Sequence, residues 1–390
     1  MEWKNFGIYQ LNQWSDEFAS RITVAAKAEL QKKEEFRSRR EYISLVEFDG
    51  VKTAYWSGGA NGGILKLARD GTEYPYLLKI FKNETTKEII AYQKRVYRTL
   101  ERLVRNRPEL AGYFPKCYFI ENGFLYHGKS YPFILMDQVD GKHLDAEYIL
   151  SLSKEQIKAT ADAFLRFILE TENASIAFSD LAGDNILINT NDAGEVHITA
   201  LDFDELYLPG MKPRMSLLAG KPSWNHRNRR MDNPVSLDAN TGAFSALLIY
   251  LSLLTLASDK EQYLGLLEKN KFENDAPLLF TIEDLEAPHT SPLFWKILRH
   301  DDKKIQYLAQ RFKEYAVDAD PAKTPLLRDI LIDYYQENET AIVKAANNRN
   351  PQAMESLSEM FEYGLGCSRN TKAADYWREK MKSYLSSSKK

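Results

Sequence analysis

The chain is short of cysteine and histidine, of charge in one sign and of long apolar runs. Only Cys117 and Cys367 occur in 390 residues. With no signal-peptide pattern at the start, they read as free thiols of a reducing, cytoplasmic setting, not as a bridge or a metal site. Among the six histidines, His226, His289 and His300 are scattered without metal-ligand spacing. The formal net charge is −3, with 52 Lys and Arg against 55 Asp and Glu. That balance gives no reason to expect nucleic acid or an acidic membrane surface as partner. The longest apolar run, Phe244 to Ala257, is broken by Ser245, Ser252 and Thr255 and is too short to cross a bilayer, so a buried helix is expected. What the chain does have is 44% hydrophobic residues, enough for a sizeable core, in a length that suits one large two-part domain plus a small appendage.

Chemistry concentrates between Phe178 and Leu206. Asp180 is followed five positions later by Asn185, and the apolar Ile186 to Ile188 leads into a turn at Asn189 to Gly194. A second run, Val196 to Leu201, delivers Asp202. The pattern is a hairpin whose ends present Asp, Asn and Asp on short loops. Phosphoryl transfer from a nucleotide needs such a set: an acidic group for the attacking hydroxyl, and two oxygen ligands that hold Mg²⁺ on the phosphates.

Upstream, Ser15 and Asp16 can cap a helix over residues 15 to 40, whose second half is dense in charge. Residues 42 to 82 carry short strand patterns, with Gly58, Gly59, Gly62 and Gly63 between two of them. Glycines there let backbone amides come close to phosphate. The next strand, Tyr76 to Phe81, carries one lysine, Lys79, among apolar neighbours, where a charge has to be paired. A helix follows to about Asn106, with Glu88, or alternatively Glu84, near its buried side. Tyr118 to Ile120 and Phe133 to Val139 read as strands, and Ser153 with Gln156 as a capping box opening a helix through Ile168.

The order and spacing around Asp180, Asn185 and Asp202 resemble the catalytic and metal-binding loops of the protein-kinase-like superfamily. The later stretches are similar to a bacterial family of eukaryotic-like Ser/Thr protein kinases: Ala-Leu-Asp-Phe-Asp at 200 to 204, Gly220-Lys221-Pro222 with His226, and Phe244 to Leu251. The resemblance covers roughly residues 50 to 260. It implies an α+β fold of two lobes with the nucleotide between them. It also implies ATP and Mg²⁺ as cofactors, Asp180 as catalytic acid–base group, Asn185 and Asp202 as metal ligands, and Lys79 on the phosphates paired with Glu88. Gly58, Gly59, Gly62 and Gly63 would cover the phosphates, Met136 would border the adenine, and backbone groups of Asp137 and Val139 would bond the base. The chain departs from the family at Phe178 and Ser179, where His-Arg is usual, at Ala182, where a lysine is common, and at Glu205 in place of glycine.

Pro209 to Pro234 reads as an activation-type or substrate-facing loop in which Arg227, Arg229 and Arg230 could hold a phosphate. Four helices are expected after it, over 241–257, 259–269, 290–300 and 302–315. Beyond Ala319, Pro325 to Gln336 and Glu337 to Asn348 read as two helices. Asn350 to Trp377 resembles one SEL-one-like repeat, in which Ala353 and Ala373 allow close helix approach and Gly364 and Gly366 a turn.

The expected organisation is therefore an N-terminal extension (1–45), a kinase N-lobe (46–137), a C-lobe (138–318) and a C-terminal helical segment (319–390). The expected function is a protein Ser/Thr kinase acting on ATP and a protein substrate, with a possible protein partner at the repeat. The alternatives are a small-molecule kinase of the aminoglycoside or choline type and a non-catalytic scaffold of the same fold.

Overall fold

A computed structural model describes residues 43–45, 56–58, 62–69, 72–81, 87–126, 129–203, 205–216, 220–229, 236–273 and 277–387. The expected helix at 15–40 lies outside the described residues, as do Gly59, Glu84 and Arg230. The chain divides into two compact units, 1–143 with 185–208, and 144–184 with 209–390.

The first unit is built on an antiparallel sheet of β1 (Ile43–Leu45), β2 (Trp56–Gly58), β3 (Gly62–Arg69), β4 (Thr72–Phe81), β5 (Cys117–Tyr126) and β6 (Lys129–Asp137). The order is β1-β3-β4-β6-β5, with β2 paired to the side of β3. β6 lies inside the sheet between β4 and β5, which is why Phe133, Ile134, Leu135 and Met136 are consecutive, apolar and all buried. Helix α1 (Lys87–Asn106) turns Gln93, Val96, Tyr97 and Leu100 inward at helical spacing. It is tied to β5 through Lys94 and Glu121, 2.6 Å apart. A smaller sheet in the same unit pairs β7 (Lys142–His143) with β8 (Ile186–Thr190), and β8 with β9 (Val196–Ala200). The β8–β9 turn is closed by the Asn191 side chain, which accepts from the amides of Ala193 and Glu195, while Gly194 takes the left-handed conformation.

The second unit is helical. α2 (Ala146–Ser151), a short helix that the sequence pattern did not announce, is capped by Asp145, whose carboxylate accepts from the Tyr148 amide at 2.8 Å. α3 (Lys154–Asn173) opens on the reciprocal Ser153–Gln156 capping box and runs five residues beyond Ile168, because Leu169 and Thr171 continue its buried face. Strands β10 (Arg214–Met215) and β11 (Ser236–Leu237) pair antiparallel. α4 (Ala243–Asp259) is the central helix, buried nearly all round. Ser252 and Thr255, which interrupt its apolar run, turn their hydroxyls onto the carbonyls of Leu248 and Leu251, 2.8 Å each, so they cost the core little. With its continuation, Ala243–Asn270 is long and apolar enough to cross a membrane, but 83% of the apolar window is buried inside the protein, as in a core helix. α5 (Leu264–Asn270), α6 (Ile282–Glu286), α7 (Pro292–Ile297) and α8 (Lys303–Val317) follow, and Phe244, Phe280, Phe294 and Phe312 stack together among them.

Residues 327–347 form one helix, α9 (Leu327–Asn347), where two are expected over 325–348. No Gly or Pro interrupts them, and Leu331, Tyr334, Tyr335, Ile342 and Ala346 make one continuous buried stripe. α10 (Pro351–Tyr363) and α11 (Thr371–Ser387) form a helical hairpin that turns at Gly364, in the left-handed conformation. Ala353 and Ala374 are the buried alanines of this hairpin, whereas the expected Ala373 is half-buried. The Ser358 hydroxyl donates to the Ala374 carbonyl there, at 2.9 Å.

Buried polar contacts join these last helices to the rest of the unit. Lys304 Nζ of α8 lies 2.6 Å from Glu359 of α10 and donates to the hydroxyls of Tyr250 and Tyr335 at 3.0 and 3.1 Å. Glu172 of α3 accepts from the amides of Leu327 and Arg328 at the start of α9. Burial pushes the Glu172 carboxyl up to about 7, against the pull of those amides. Because the folded protein then holds this proton more tightly than the unfolded chain, the site's contribution is complete below pH 4.5 and is lost as pH rises towards 7. Thermal melts of the wild type and Glu172→Gln are expected to converge or cross between those pH values, the variant showing the flatter profile.

Candidate functional site

In the first unit, Lys79 is the residue around which the others gather. It lies on β4 opposite Ile134 of β6 and Ile64 of β3, and is only 8% exposed. A lysine this deep has to be paired, and its Nζ lies 3.3 Å from Asp202 Oδ1, across 123 residues of sequence. Asp202 keeps a side-chain exposure of 39%, so its carboxylate is open to more than one partner.

The hairpin explains how Asp202 arrives there. β9 pairs with β8 as far as Ala200 opposite Ile186, and the Leu201 amide then donates to the Asn185 carbonyl at 3.0 Å. Asn185 and Asp202 are thus presented at one end of the same hairpin. The next residue, Phe203, is wholly buried and meets the rings of Tyr97 and Phe114 edge-on, at 5.8 and 5.6 Å. The Tyr92 hydroxyl donates to the Leu206 carbonyl at 2.6 Å. Helix α1 thereby fixes the segment on both sides of Glu205, which is itself buried.

Glu88, the expected partner of Lys79, belongs to α1. Glu88 is exposed in the first turn of α1, whereas the buried face that reaches Phe203 through Tyr97 carries Gln93 one turn earlier. Gln93 is wholly buried and uncharged.

The glycines fall at the end of a hairpin. Gly58 pairs with Gly63, and Gly62 and Gly63 lie opposite Phe81 and Ile80, beside Lys79. On the far side of β4, Met136 is 4% exposed and pairs with Leu77 and Cys117. The Asp137 amide donates to the Lys116 carbonyl at 3.0 Å, so any contact from Asp137 to a base has to use its carbonyl. Val139 is half-buried in the stretch that follows β6. Burial pushes the nearby Cys117 thiol far up, with Asp137 adding to the effect and Lys79 opposing it; the thiol donates to the Pro115 carbonyl.

The second unit holds Asp180 in a tight loop. The Ala182 amide donates to the Asp180 carbonyl at 3.1 Å, and Leu144 donates to the Gly183 carbonyl at 3.0 Å. A Cβ at Gly183 would collide with the Leu144 carbonyl and the Trp224 ring, so only glycine fits. Gly220, at φ +70°, brings its backbone to the same loop: a Cβ there would sit 3.3 Å from Asp180 Oδ1. Lys221 Nζ lies 2.6 Å from Asp184 Oδ2.

The arginines expected to hold a phosphate do otherwise. Arg227 donates to the carbonyls of Glu286 and Val317 at 3.1 and 2.8 Å. Arg229 is buried and bonded to Ser179 and Asn225. Asn228 donates to the Ala319 carbonyl at 2.7 Å. His226 accepts from the Asn228 amide at Nδ1 and faces the Tyr315 carbonyl with Nε2, and burial lowers its pKa, so it stays neutral. Residues 222–229 are therefore fixed to the helical unit, unlike the substrate-facing loop anticipated from their composition. The contacts of Tyr92 with Leu206 and of Arg229 with Ser179 and Asn225 join residues far apart in sequence, so local pattern gives no sign of them.

Among the described residues no three His, Cys, Asp or Glu side chains gather as a metal cage. No family model matches the sequence, and no curated protein matches it. Among solved structures, the kinase PK-1 of the Cydia pomonella granulovirus is similar, with 13% identity, coverage of 77% of this chain and 98% of that one, and a TM-score of 0.43.

Proposed function

We propose that the chain is an ATP- and Mg²⁺-dependent phosphotransferase and, more narrowly, a cytoplasmic protein Ser/Thr kinase. The observation that carries the reading is the buried Lys79 paired at 3.3 Å with Asp202, a residue presented at the same hairpin end as Asn185. A buried cation paired with a partly open carboxylate, with an asparagine at the same hairpin end, suits a triphosphate and a hard divalent ion. The donor chemistry fits Mg²⁺: two oxygen ligands from the protein leave the remaining positions to phosphate and water. Bound there, Mg²⁺ supplies positive charge to the phosphate oxygens.

Lys79 Nζ binds the α- and β-phosphates, and the glycines at the β2–β3 end donate backbone amides to them. Met136, with backbone groups of Asp137 and Val139, holds the base. Asp180 accepts the proton of the attacking hydroxyl as its oxygen bonds the γ-phosphorus and the bond to the ADP oxygen breaks. A small-molecule acceptor is the second reading, favoured by Ala182, which is wholly buried where a phosphate-contacting lysine is common in protein kinases.

Mg²⁺-dependent release of ADP tests the reading. Lys79→Met and Asp202→Ala are each expected to lower turnover by about 100-fold or more. Turnover at the wild-type rate in Asp202→Ala would sink it.

A further inference from the structure

Arg229 is 8% exposed, and its guanidinium bonds Ser179 and Asn225. Nη1 donates to the Ser179 carbonyl and, at 2.8 Å, to Asn225 Oδ1, while Nη2 donates to Ser179 Oγ at 2.6 Å. Ser179 is 1% exposed and immediately precedes Asp180. Asn225 is held in turn: its Nδ2 donates to the Lys221 carbonyl at 3.0 Å, and the Ser245 hydroxyl of α4 donates to its Oδ1 at 3.3 Å. The arginine's own amide donates to the His226 carbonyl at 2.9 Å, and His226 packs edge-on against Phe244 at 5.1 Å. A chain of contacts thus runs from the central helix to the residue before Asp180.

Burying a guanidinium is costly unless its donors are met by well-placed acceptors. Here the planar fork meets a carbonyl and a hydroxyl of the same residue, a geometry that a lysine ammonium cannot reproduce. The partners lie 50 residues apart in sequence, so the contact sets the position of one loop against another.

We propose that Arg229 is the positioning residue of Asp180, clamping Ser179 so that the carboxylate is held in register for the acceptor hydroxyl. The inference rests on the reading of Asp180 given above. It assigns to the 222–229 stretch the work of holding the loop from outside, in a chain whose own residues before Asp180 are Phe178 and Ser179.

The test compares the full-length wild type with Arg229→Met, Arg229→Lys and Ser179→Ala by amide hydrogen exchange and steady-state ADP release. In Arg229→Met, exchange in the peptide spanning Phe178 to Gly183 is expected to accelerate about tenfold or more while α9 to α11 exchange as in the wild type. In the same variant kcat falls by about 100-fold with the KM for ATP unchanged, because a displaced base slows transfer without weakening nucleotide binding. Arg229→Lys and Ser179→Ala, milder changes that keep a charge or the carbonyl bond, should fall between the two. Wild-type exchange in that peptide, or an unchanged kcat, in Arg229→Met and Arg229→Lys alike overturns the proposal. If the wild type releases no ADP, the function reading fails, and the exchange measurement still decides whether Arg229 clamps the loop.

Discussion

Asp180→Ala is expected to lower phosphotransfer by about three orders of magnitude while leaving the melting temperature close to that of the wild type. The size follows from what the carboxylate does: without it, no group at that position takes the proton of the attacking hydroxyl, and binding and charge neutralisation alone remain. The fold should tolerate the change because the loop is shaped by other groups. The Ala182 amide bonds the backbone carbonyl of residue 180, Gly183 packs under Trp224, and Arg229 grips Ser179. Asp180→Asn is the informative companion, keeping the shape and removing the base. Equal turnover in the wild type and Asp180→Asn would exclude Asp180 from the chemistry.

The second large effect concerns stability. Lys304 and Glu359 are 12% and 11% exposed, and the hydroxyls of Tyr250 and Tyr335 hydrogen-bond within the pair. Burial, with the Glu359 charge beside them, raises both tyrosines well above the ordinary range, so they stay neutral: both accept from Lys304, and Tyr335 donates to Glu359. Removing one partner strands the other charge in the core. Glu359→Ala or Lys304→Ala is expected to cost about 3–5 kcal/mol. The double change Lys304→Met with Glu359→Leu should recover much of that loss, because an apolar pair of similar volume leaves no unpaired charge. Denaturant unfolding of the three variants checks it; single variants within about 0.5 kcal/mol of wild type would show that the pair is not buried in solution. The same network, with Glu172 at the start of α9 and Lys158 bonded to Glu355 at 2.7 Å, makes α9–α11 a continuation of the helical unit's core.

The parts of the fold that were legible in the sequence are those written in local pattern. The Ser153–Gln156 box, the short apolar runs of β3 and β4, and the apolar run of α4 each carry their structure in adjacent residues. The lone lysine among apolar neighbours at position 79 also announced itself, because its burial demands a partner. Asp202 as a partner could not be read from spacing, because it lies 123 residues further on. Glu88, expected beside the buried side of α1, stands exposed in its first turn, and the buried face carries Gln93 and Tyr97, the latter packed on Phe203.

Arginines 227 and 229 read as phosphate-holding charges on a loop, because nothing in their neighbourhood reveals acceptors on residues 179, 286 and 317. The two helices expected over 325–348 are one, α9, in which burial of Ile342 and Ala346 carries the helix past the weak helix formers Asn338 and Thr340. The one-residue shift from Ala373 to Ala374 has the same origin: a helical hairpin's contact line is set by its crossing angle, which composition does not encode.

The most direct test of the central claim is incubation of the wild-type chain with γ-labelled ATP and Mg²⁺, alone and with a generic protein acceptor. The account predicts label on protein hydroxyls, abolished by a chelator and by Asp202→Ala. ATP that binds yet yields neither labelled protein nor ADP would contradict it.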